Sequence, residues 1–327
     1  MTHRPPHAPS RLGHLNRLRW LVMSVVFAML VALPYISVYQ NFAAAHAYDL
    51  LSAGEKRLYD IVEFFTSPLV NRPEDLDAIK GTTWSGTFFG LQLTDPLAAA
   101  SQFGARLDVY WPFAVTALIP IFLTLVLGRF FCGWLCPANL IYELLDRAAI
   151  HLGKAGLEFN GRRFDKRLKY LVLALGIAVS SASGAVAMAA IYPPAIVGRE
   201  LYFYIVSSTL GAGAVFFLIT VLFDLLVARR GFCRYLCPGG ALYALLGRYR
   251  LVRIRRATES CNDCTKCNTA CMFDLDPMGD GFGQECNNCA ACIAACPSGA
   301  LTFTLSPSDR PYQGAGRLVT GASRETA

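Results

Sequence analysis

Eight cysteines between Cys261 and Cys296 constrain this chain more than any other stretch. They read Cys261-x2-Cys264-x2-Cys267-x3-Cys271, then fourteen residues, then Cys286-x2-Cys289-x2-Cys292-x3-Cys296-Pro297. Thiols this dense in so apolar a chain do not suit a disulfide framework. Zinc sites, for their part, pair two short Cys motifs across a spacer. The repeated run is the ligand pattern of two iron–sulfur clusters, in which the fourth Cys of each run reaches across to the other cluster. Cys261, Cys264, Cys267 and Cys296 are therefore expected on one [4Fe-4S] cluster, and Cys271, Cys286, Cys289 and Cys292 on the second. Met272 stands where such runs often carry Pro, which alters the local turn and not the ligand.

Only 16% of the 327 residues are charged and 54% are hydrophobic, against about a quarter charged in soluble domains. This composition is that of a membrane protein. Lys and Arg number 30 against 23 Asp and Glu, yet no basic stripe interleaved with aromatics is present, so nucleic acid is not an expected partner. Twelve Cys without a secretory signal peptide point to metal ligation on the reducing side of a membrane.

Residues 1–19 carry four Arg and no acid and read as an unstructured cytoplasmic tail. Four apolar stretches follow: Trp20 to Tyr39, Trp111 to Phe131, Tyr170 to Tyr192, and about Tyr202 to Val227. Each has the length of a helical bilayer crossing. No small-residue cleavage site follows the first, so it reads as a retained span. The segment 40–109 has five Lys or Arg against nine Asp or Glu, which suits a periplasmic loop. Within it Ser52-x-x-Glu55 is a capping box before an amphipathic helix, and Arg72-Pro73 to Gly81 and Asp95-Pro96 to Gly104 mark two further short helices. The third and fourth spans are joined by a turn through Pro193, Pro194, Gly198 and Arg199. Basic residues gather in 138–169 and again from Arg229 to Arg256, which places those segments, both termini and the Cys-rich segment in the cytoplasm.

An internal repeat relates the halves of the membrane part. Phe131-Cys132-Gly133-Trp134-Leu135-Cys136-Pro137, with Tyr142 and Arg147, matches Phe232-Cys233-Arg234-Tyr235-Leu236-Cys237-Pro238, with Tyr243 and Arg248, every position displaced by 101. The expected fold is an α-helical membrane protein of four transmembrane helices in two related hairpins, spanning residues 20–252. A C-terminal α+β domain of the two-cluster bacterial ferredoxin type follows over 253–305, and then a flexible tail, 306–327.

Cys132, Cys136, Cys233 and Cys237 sit at the cytoplasmic ends of these hairpins. Residues four apart share a helix face, so each pair presents its sulfurs together, and the repeat turns both pairs towards a common axis. Structural or assembly thiols, a tetrathiolate metal or cluster site, and a dithiol redox relay are all open readings. Asp224, near the inner end of the fourth span, is a candidate proton relay, or else a partner of Arg129 or Arg229. Asp95 reads as a helix cap rather than a quinol ligand. Haem is not expected, because no Cys-x-x-Cys-His is present and no span contains a His.

Leu93-Thr94-Asp95-Pro96-Leu97, both Phe-Cys-x3-Cys-Pro repeats, Phe223-Asp224-Leu225-Leu226 and the tandem Cys runs together resemble the NapH/MauN family of ferredoxin-type membrane proteins. The resemblance extends from the first span to Cys296. It implies an electron carrier of the inner membrane, or at most the membrane subunit of a quinol dehydrogenase. The implied partners are the lipid bilayer, the quinone pool and an iron–sulfur or periplasmic redox protein of methylamine utilisation or nitrate reduction. The acidic first outer loop, residues 41–83, is longer than the NapH-like pattern and favours the MauN branch. A redox assembly or maturation factor for a periplasmic enzyme is the alternative. Transport is not expected, since the spans offer little beyond Asp224 for a substrate path.

Overall fold

The structure is a computed structural model that describes residues 13–45, 48–67, 79–88, 91–154 and 162–306. The helix expected at Arg72-Pro73, most of the N-terminal tail and residues 307–327 lie outside these residues.

The first helix, α1 (Gly13–Ala44), is apolar along most of its length and includes Pro34. It starts inside the segment expected as tail. The reason is Arg19, which is fully buried in an ion pair with Glu143, while Arg147 lies 3.9 Å over the Trp20 ring. Helix α2 (Ala53–Thr66) carries the capping box formed by Ser52 and Glu55.

The following segment departs from the sequence expectation. Strands β1 (Ile79–Gly81), β2 (Ser85–Phe88) and β3 (Leu91–Thr94) form an antiparallel meander in which Ser85 faces Thr94. Ser85 and Thr94 hydroxyls bond across the strands at 3.1 Å, and Thr94 bonds on to Thr116 at 2.8 Å, which ties the sheet to the next apolar helix. Short strands rich in Gly, Ser and Thr lack the helical spacing of apolar residues, and tertiary pairing of this kind is hard to read from one sequence.

Helix α3 (Pro96–Arg106) begins where expected, with Asp95 as its N-cap and Pro96 in the first turn. It runs through Gly104 and stops at Leu107, which adopts φ 53. Helices α4 (Trp111–Leu127) and α5 (Pro137–Lys154) follow, joined by a five-residue π turn, Phe131–Leu135. Helix α6 (Leu168–Ser183) ends nine residues before the expected limit of the third span, at Gly184 with φ 65. The expected turn at Pro193 and Pro194 is instead the first turn of helix α7 (Pro193–Ser207), because Pro is tolerated where no amide hydrogen is needed. Helix α8 (Ala212–Leu226) is separated from α7 by Ser208 at φ 51, so the expected fourth span is two helices. A second π turn, Phe232–Leu236, leads to α9 (Pro238–Leu246).

The repeat therefore reaches further than the Cys motifs. Leu107 and Ser208, the left-handed residues that close α3 and α7, are themselves 101 positions apart. Each half is a short helix, an apolar helix, a π turn and a second helix. Among the described residues only α1 is long and apolar enough to cross a membrane unaided. The apolar helices α4, α6 and α8 run 17, 16 and 15 residues.

The C-terminal unit is α+β. Strands β4 (Val252–Arg256) and β5 (Leu301–Leu305) pair antiparallel, with Ile254 opposite Phe303. Between them lie the short helices α10 (Lys266–Ala270) and α11 (Ala291–Ala295). Their core holds Ile254, Phe282, Ile293 and Leu301 around four buried cysteines, Cys267, Cys286, Cys292 and Cys296.

Candidate functional site

The two Cys runs fold the same way. In the first, Asp263 and Thr265 take positive φ on either side of Cys264; in the second, Asn288 and Ala290 do so on either side of Cys289. Positive φ is costly for residues with a Cβ, and such strain persists where a site demands it. Here it wraps the chain tightly, and α10 and α11 each then end on an extended Cys, Cys271 and Cys296.

The result is two separate cavities. One is lined by Cys261, Cys264, Cys267 and Cys296, the other by Cys271, Cys286, Cys289 and Cys292. In each, three thiols of one run meet the fourth Cys of the other. Apolar residues complete the walls, with Met278 and Leu301 at the first and Ile254, Leu275 and Phe282 at the second. Four thiols, an apolar lining and nearby guanidinium groups are the donor set and surroundings that a negatively charged [4Fe-4S] cluster requires. Arg256 lies beside Cys261, and Arg250 and Arg19 lie near Cys286 and Cys289. As free thiols Cys267, Cys286, Cys289 and Cys292 resist ionisation. Burial pushes Cys286 up to about 11 and raises Cys267, so binding a cation must displace their protons. Cys296 is the exception. Burial works to raise it, but the Ser298 hydroxyl and the amides of Ser298, Ala300 and Leu301 hold it lower than an ordinary thiol.

The second group of thiols belongs to the π turns. Cys136 N bonds to Phe131 O, and Cys237 N to Phe232 O, both at 2.8 Å across five residues. Single π turns inside helical segments are frequent at functional sites. Because Pro137 and Pro238 disfavour helical backbone in the residue before them, Cys136 and Cys237 are extended, with ψ 116 and 115. The pairs are thus not successive positions on an α-helical face, as the spacing alone suggested. The four thiols nonetheless converge. Cys136 packs in one apolar cluster with Cys233, and Cys237 lies near enough to Cys132, Cys136 and Cys233 for their charges to interact. Gly240 N points at Cys237 Sγ at 3.3 Å, and Arg129 lies beside Cys132.

The cavity of Cys271, Cys286, Cys289 and Cys292 is fastened to both π turns. On the first, Trp134 Nε1 donates to Asn288 O at 3.1 Å. Gly133 passes so close that a Cβ there would sit 2.7 Å from Asn287 O. Arg129 binds Glu285 at 2.6 Å and its carbonyl at 3.1 Å, Lys169 pairs with the same carboxylate, and Tyr170 donates to it at 2.7 Å. These cations hold Glu285 below the usual carboxylate range against the effect of burial. At Gly128, whose φ is 75, Arg250 fills the space that a Cβ would need and reaches Gly283 O at 2.8 Å. On the second turn, Arg230 donates to Met272 Sδ at 3.1 Å and Arg234 to Asp274 at 3.0 Å, on the residues that follow Cys271. In the other cavity Cys261 and Cys264 are partly exposed, and Asn262 and Thr265 beside them are exposed.

Arg129 and Arg230 occupy equivalent places in the repeat and both are 1% exposed. Both reach the ferredoxin-like unit, Arg129 at Glu285 and Arg230 at Met272, and Arg230 also joins Asp146 at 2.7 Å and reaches Asn139. Arg229 pairs with Asp146 at 3.3 Å, so neither expected partner is bound to Asp224. Asp224 instead accepts the Phe232 amide at 2.7 Å, capping the second π turn, and its other oxygen is buried without a hydrogen bond among the described residues. Asp95 caps α3 through Leu97 N at 2.7 Å, and its other oxygen accepts Tyr192 OH at 2.8 Å. The docking residues Gly133, Trp134, Glu285 and Asn288 had no motif of their own. The one signal available was their position inside or beside the Cys runs.

A family model described as a 4Fe-4S binding domain matches the chain twice, at residues 110–158 and 209–257. Each match contains one Cys-x3-Cys-Pro turn, and both lie outside the stretch from Cys261 to Cys296. The chain is 35% identical over 196 residues to the methylamine utilization ferredoxin-type protein MauN of Methylorubrum extorquens, covering 59% of this chain and 65% of the relative. It is 32% identical over 225 residues to MauN of Methylobacillus flagellatus, covering 68% and 75%. With the ferredoxin-type protein NapH of Haemophilus influenzae the identity is 34% over 186 residues, covering 55% and 61%. The match thus spans slightly under two thirds of the Methylorubrum and Haemophilus proteins. No solved structure matches. With two cavities of four thiols, a repeated π turn and these relatives in hand, the chain belongs to the NapH/MauN family of ferredoxin-type proteins.

Proposed function

We propose that this chain is a multi-pass inner-membrane protein that moves electrons between the quinone pool and a redox system outside the membrane, of the methylamine-utilisation or nitrate-reductase type. The supporting observation is the docking just described: the Cys271, Cys286, Cys289 and Cys292 cavity sits against both π turns, at the ends of α4 and α8. In this reading four crossings are made by α1, α4, α6 and α8, with α3 and α7 packed beside them, and the ferredoxin-like unit is cytoplasmic. Two [4Fe-4S] clusters, when bound, supply one-electron transfer at potentials tuned by their surroundings.

The residues define an order. Cys271, Cys286, Cys289 and Cys292 form the site nearest the membrane, and Cys261, Cys264, Cys267 and Cys296 the outlying one, where Cys261 and Cys264 reach the surface beside a docking partner. Between the membrane and the inner site stand Cys132, Cys136, Cys233 and Cys237, and the family match on both turns favours a metal or redox role for them. Asp224, with one oxygen unbonded, is the candidate to take up a proton beside them.

The test is anaerobic purification in detergent, an iron count, and electron paramagnetic resonance as decylubiquinol is added. About eight irons and quinol-driven reduction support the reading. The same iron with no response to quinol, even with the partner protein present, favours the assembly role instead.

A further inference from the structure

A cavity of about 360 Å3 lies next to the first π turn. Its walls are α1, the β2–β3 hairpin, α4 and the π turn, and they are apolar almost throughout. Polar character is concentrated at Asp95 and Tyr243, which lie beside each other, and at a few Ser and Thr hydroxyls. Two features relate this cavity to the thiols. Phe131 and Pro137, which flank Cys132 and Cys136 in sequence, form part of its wall, and Phe131 stacks on Tyr243 with ring centroids 5.1 Å apart. The cavity is therefore one side chain away from the turn that carries the first thiol pair. On its outer side the lining residues Met29, Ile119 and Leu123 are exposed on helices read as membrane-crossing, so it opens towards lipid.

An apolar chamber entered from hydrocarbon, with a carboxylate and a phenol at one end, selects a lipid-soluble molecule that has a small ring bearing hydroxyl or carbonyl groups. We propose that this cavity binds the hydroquinone ring of a membrane quinol, with Asp95 and Tyr243 positioning one ring oxygen and α1 and α4 holding the tail. The assignment rests on the quinol-linked reading above and adds its site. Asp95 suits the role because its carboxylate is fixed twice over, at Oδ1 by Leu97 N and at Oδ2 by Tyr192 OH, which leaves it rigid at the cavity end. A preorganised acceptor of this kind spends little entropy on binding.

The experiment uses the full chain in lipid nanodiscs, with 2-heptyl-4-hydroxyquinoline N-oxide as a fluorescent quinol-site probe and decylubiquinol as competitor and reductant. Leu123→Trp fills the cavity; Asp95→Asn removes the charge while keeping an effective helix cap. Each variant is expected to weaken probe binding roughly tenfold or more, the scale of one lost charge-assisted hydrogen bond or a blocked site. Iron content and reduction by dithionite stay at wild-type values, which shows that the variants are folded. Wild-type probe affinity in both folded variants, with quinol-driven reduction intact, overturns this site and leaves the functional reading standing. A phospholipid that copurifies with the wild type and is lost from Leu123→Trp, with probe binding unchanged, overturns it too by identifying a lipid occupant. A wild type that neither binds the probe nor takes electrons from decylubiquinol removes the functional reading and the site together.

Discussion

Trp134 donates its indole N–H to the backbone carbonyl of Asn288 at 3.1 Å, so the turn carrying Cys132 and Cys136 is bonded to the residue between Cys286 and Cys289. Both groups are buried. Trp134→Phe keeps the ring and removes the donor, leaving that carbonyl without this partner at a cost of about 1–3 kcal/mol. Hydrogen exchange of the Glu285–Asn288 segment should rise in the variant, while exchange in α4 stays unchanged.

Glu285 joins Arg129 and Lys169, which are 1% and 0% exposed. Glu285→Ala leaves two buried cations without their carboxylate, and breaking a buried pair in this way costs about 3–5 kcal/mol. The thermal unfolding midpoint should fall accordingly. Replacing the exposed Glu259 by Ala, which removes a charge without stranding a buried one, should change it little.

Gly133 packs directly against the ferredoxin-like unit. In Gly133→Ala the new methyl meets the Asn287 carbonyl at 2.7 Å, and the unit must shift or strain at about 1–3 kcal/mol. Reduction by decylubiquinol should slow several-fold while reduction by dithionite is unaffected, measured by following cluster absorbance under each donor.

Cys264 and Cys289 line different cavities. Cys264→Ser and Cys289→Ser should each lower bound iron from about eight to about four per chain, the content of one cluster. Iron above eight that disappears in Cys132→Ser or Cys233→Ser belongs to the four thiols of the π turns. Stripping all iron with a chelator should unfold the segment from Val252 to Leu305. Its core is built from cysteines, so metal binding and folding are coupled there.

The thiol sets of the two cavities were legible in the sequence because ligand spacing in a Cys run is a local rule. Cavity walls then formed from the same four residues the rule selects. The repeat was legible too, through Tyr142 and Tyr243 as well as the cysteines. Other features depend on contacts distant in sequence. Arg129 reaches Glu285 across 156 positions, and Asp95 meets Tyr192 across 97. No periodicity encodes such pairs. The helical breaks at Gly184 and Ser208 are not legible in the sequence, because an apolar stretch long enough for one span also suits two shorter helices packed against their neighbours. The repeat brings the four thiols together, but their π-turn geometry follows from Pro137 and Pro238 acting on the preceding Cys, a local rule separate from the Cys-x3-Cys spacing.

The central claim is that electrons from a membrane quinol reach the site of Cys271, Cys286, Cys289 and Cys292 before that of Cys261, Cys264, Cys267 and Cys296. The direct measurement is quinol-driven reduction, followed by freeze-quench electron paramagnetic resonance, in Cys264→Ser and in Cys289→Ser. The account predicts that Cys264→Ser is still reduced by decylubiquinol at the wild-type rate, whereas Cys289→Ser responds to dithionite alone. Full-rate reduction of Cys289→Ser by decylubiquinol would contradict it.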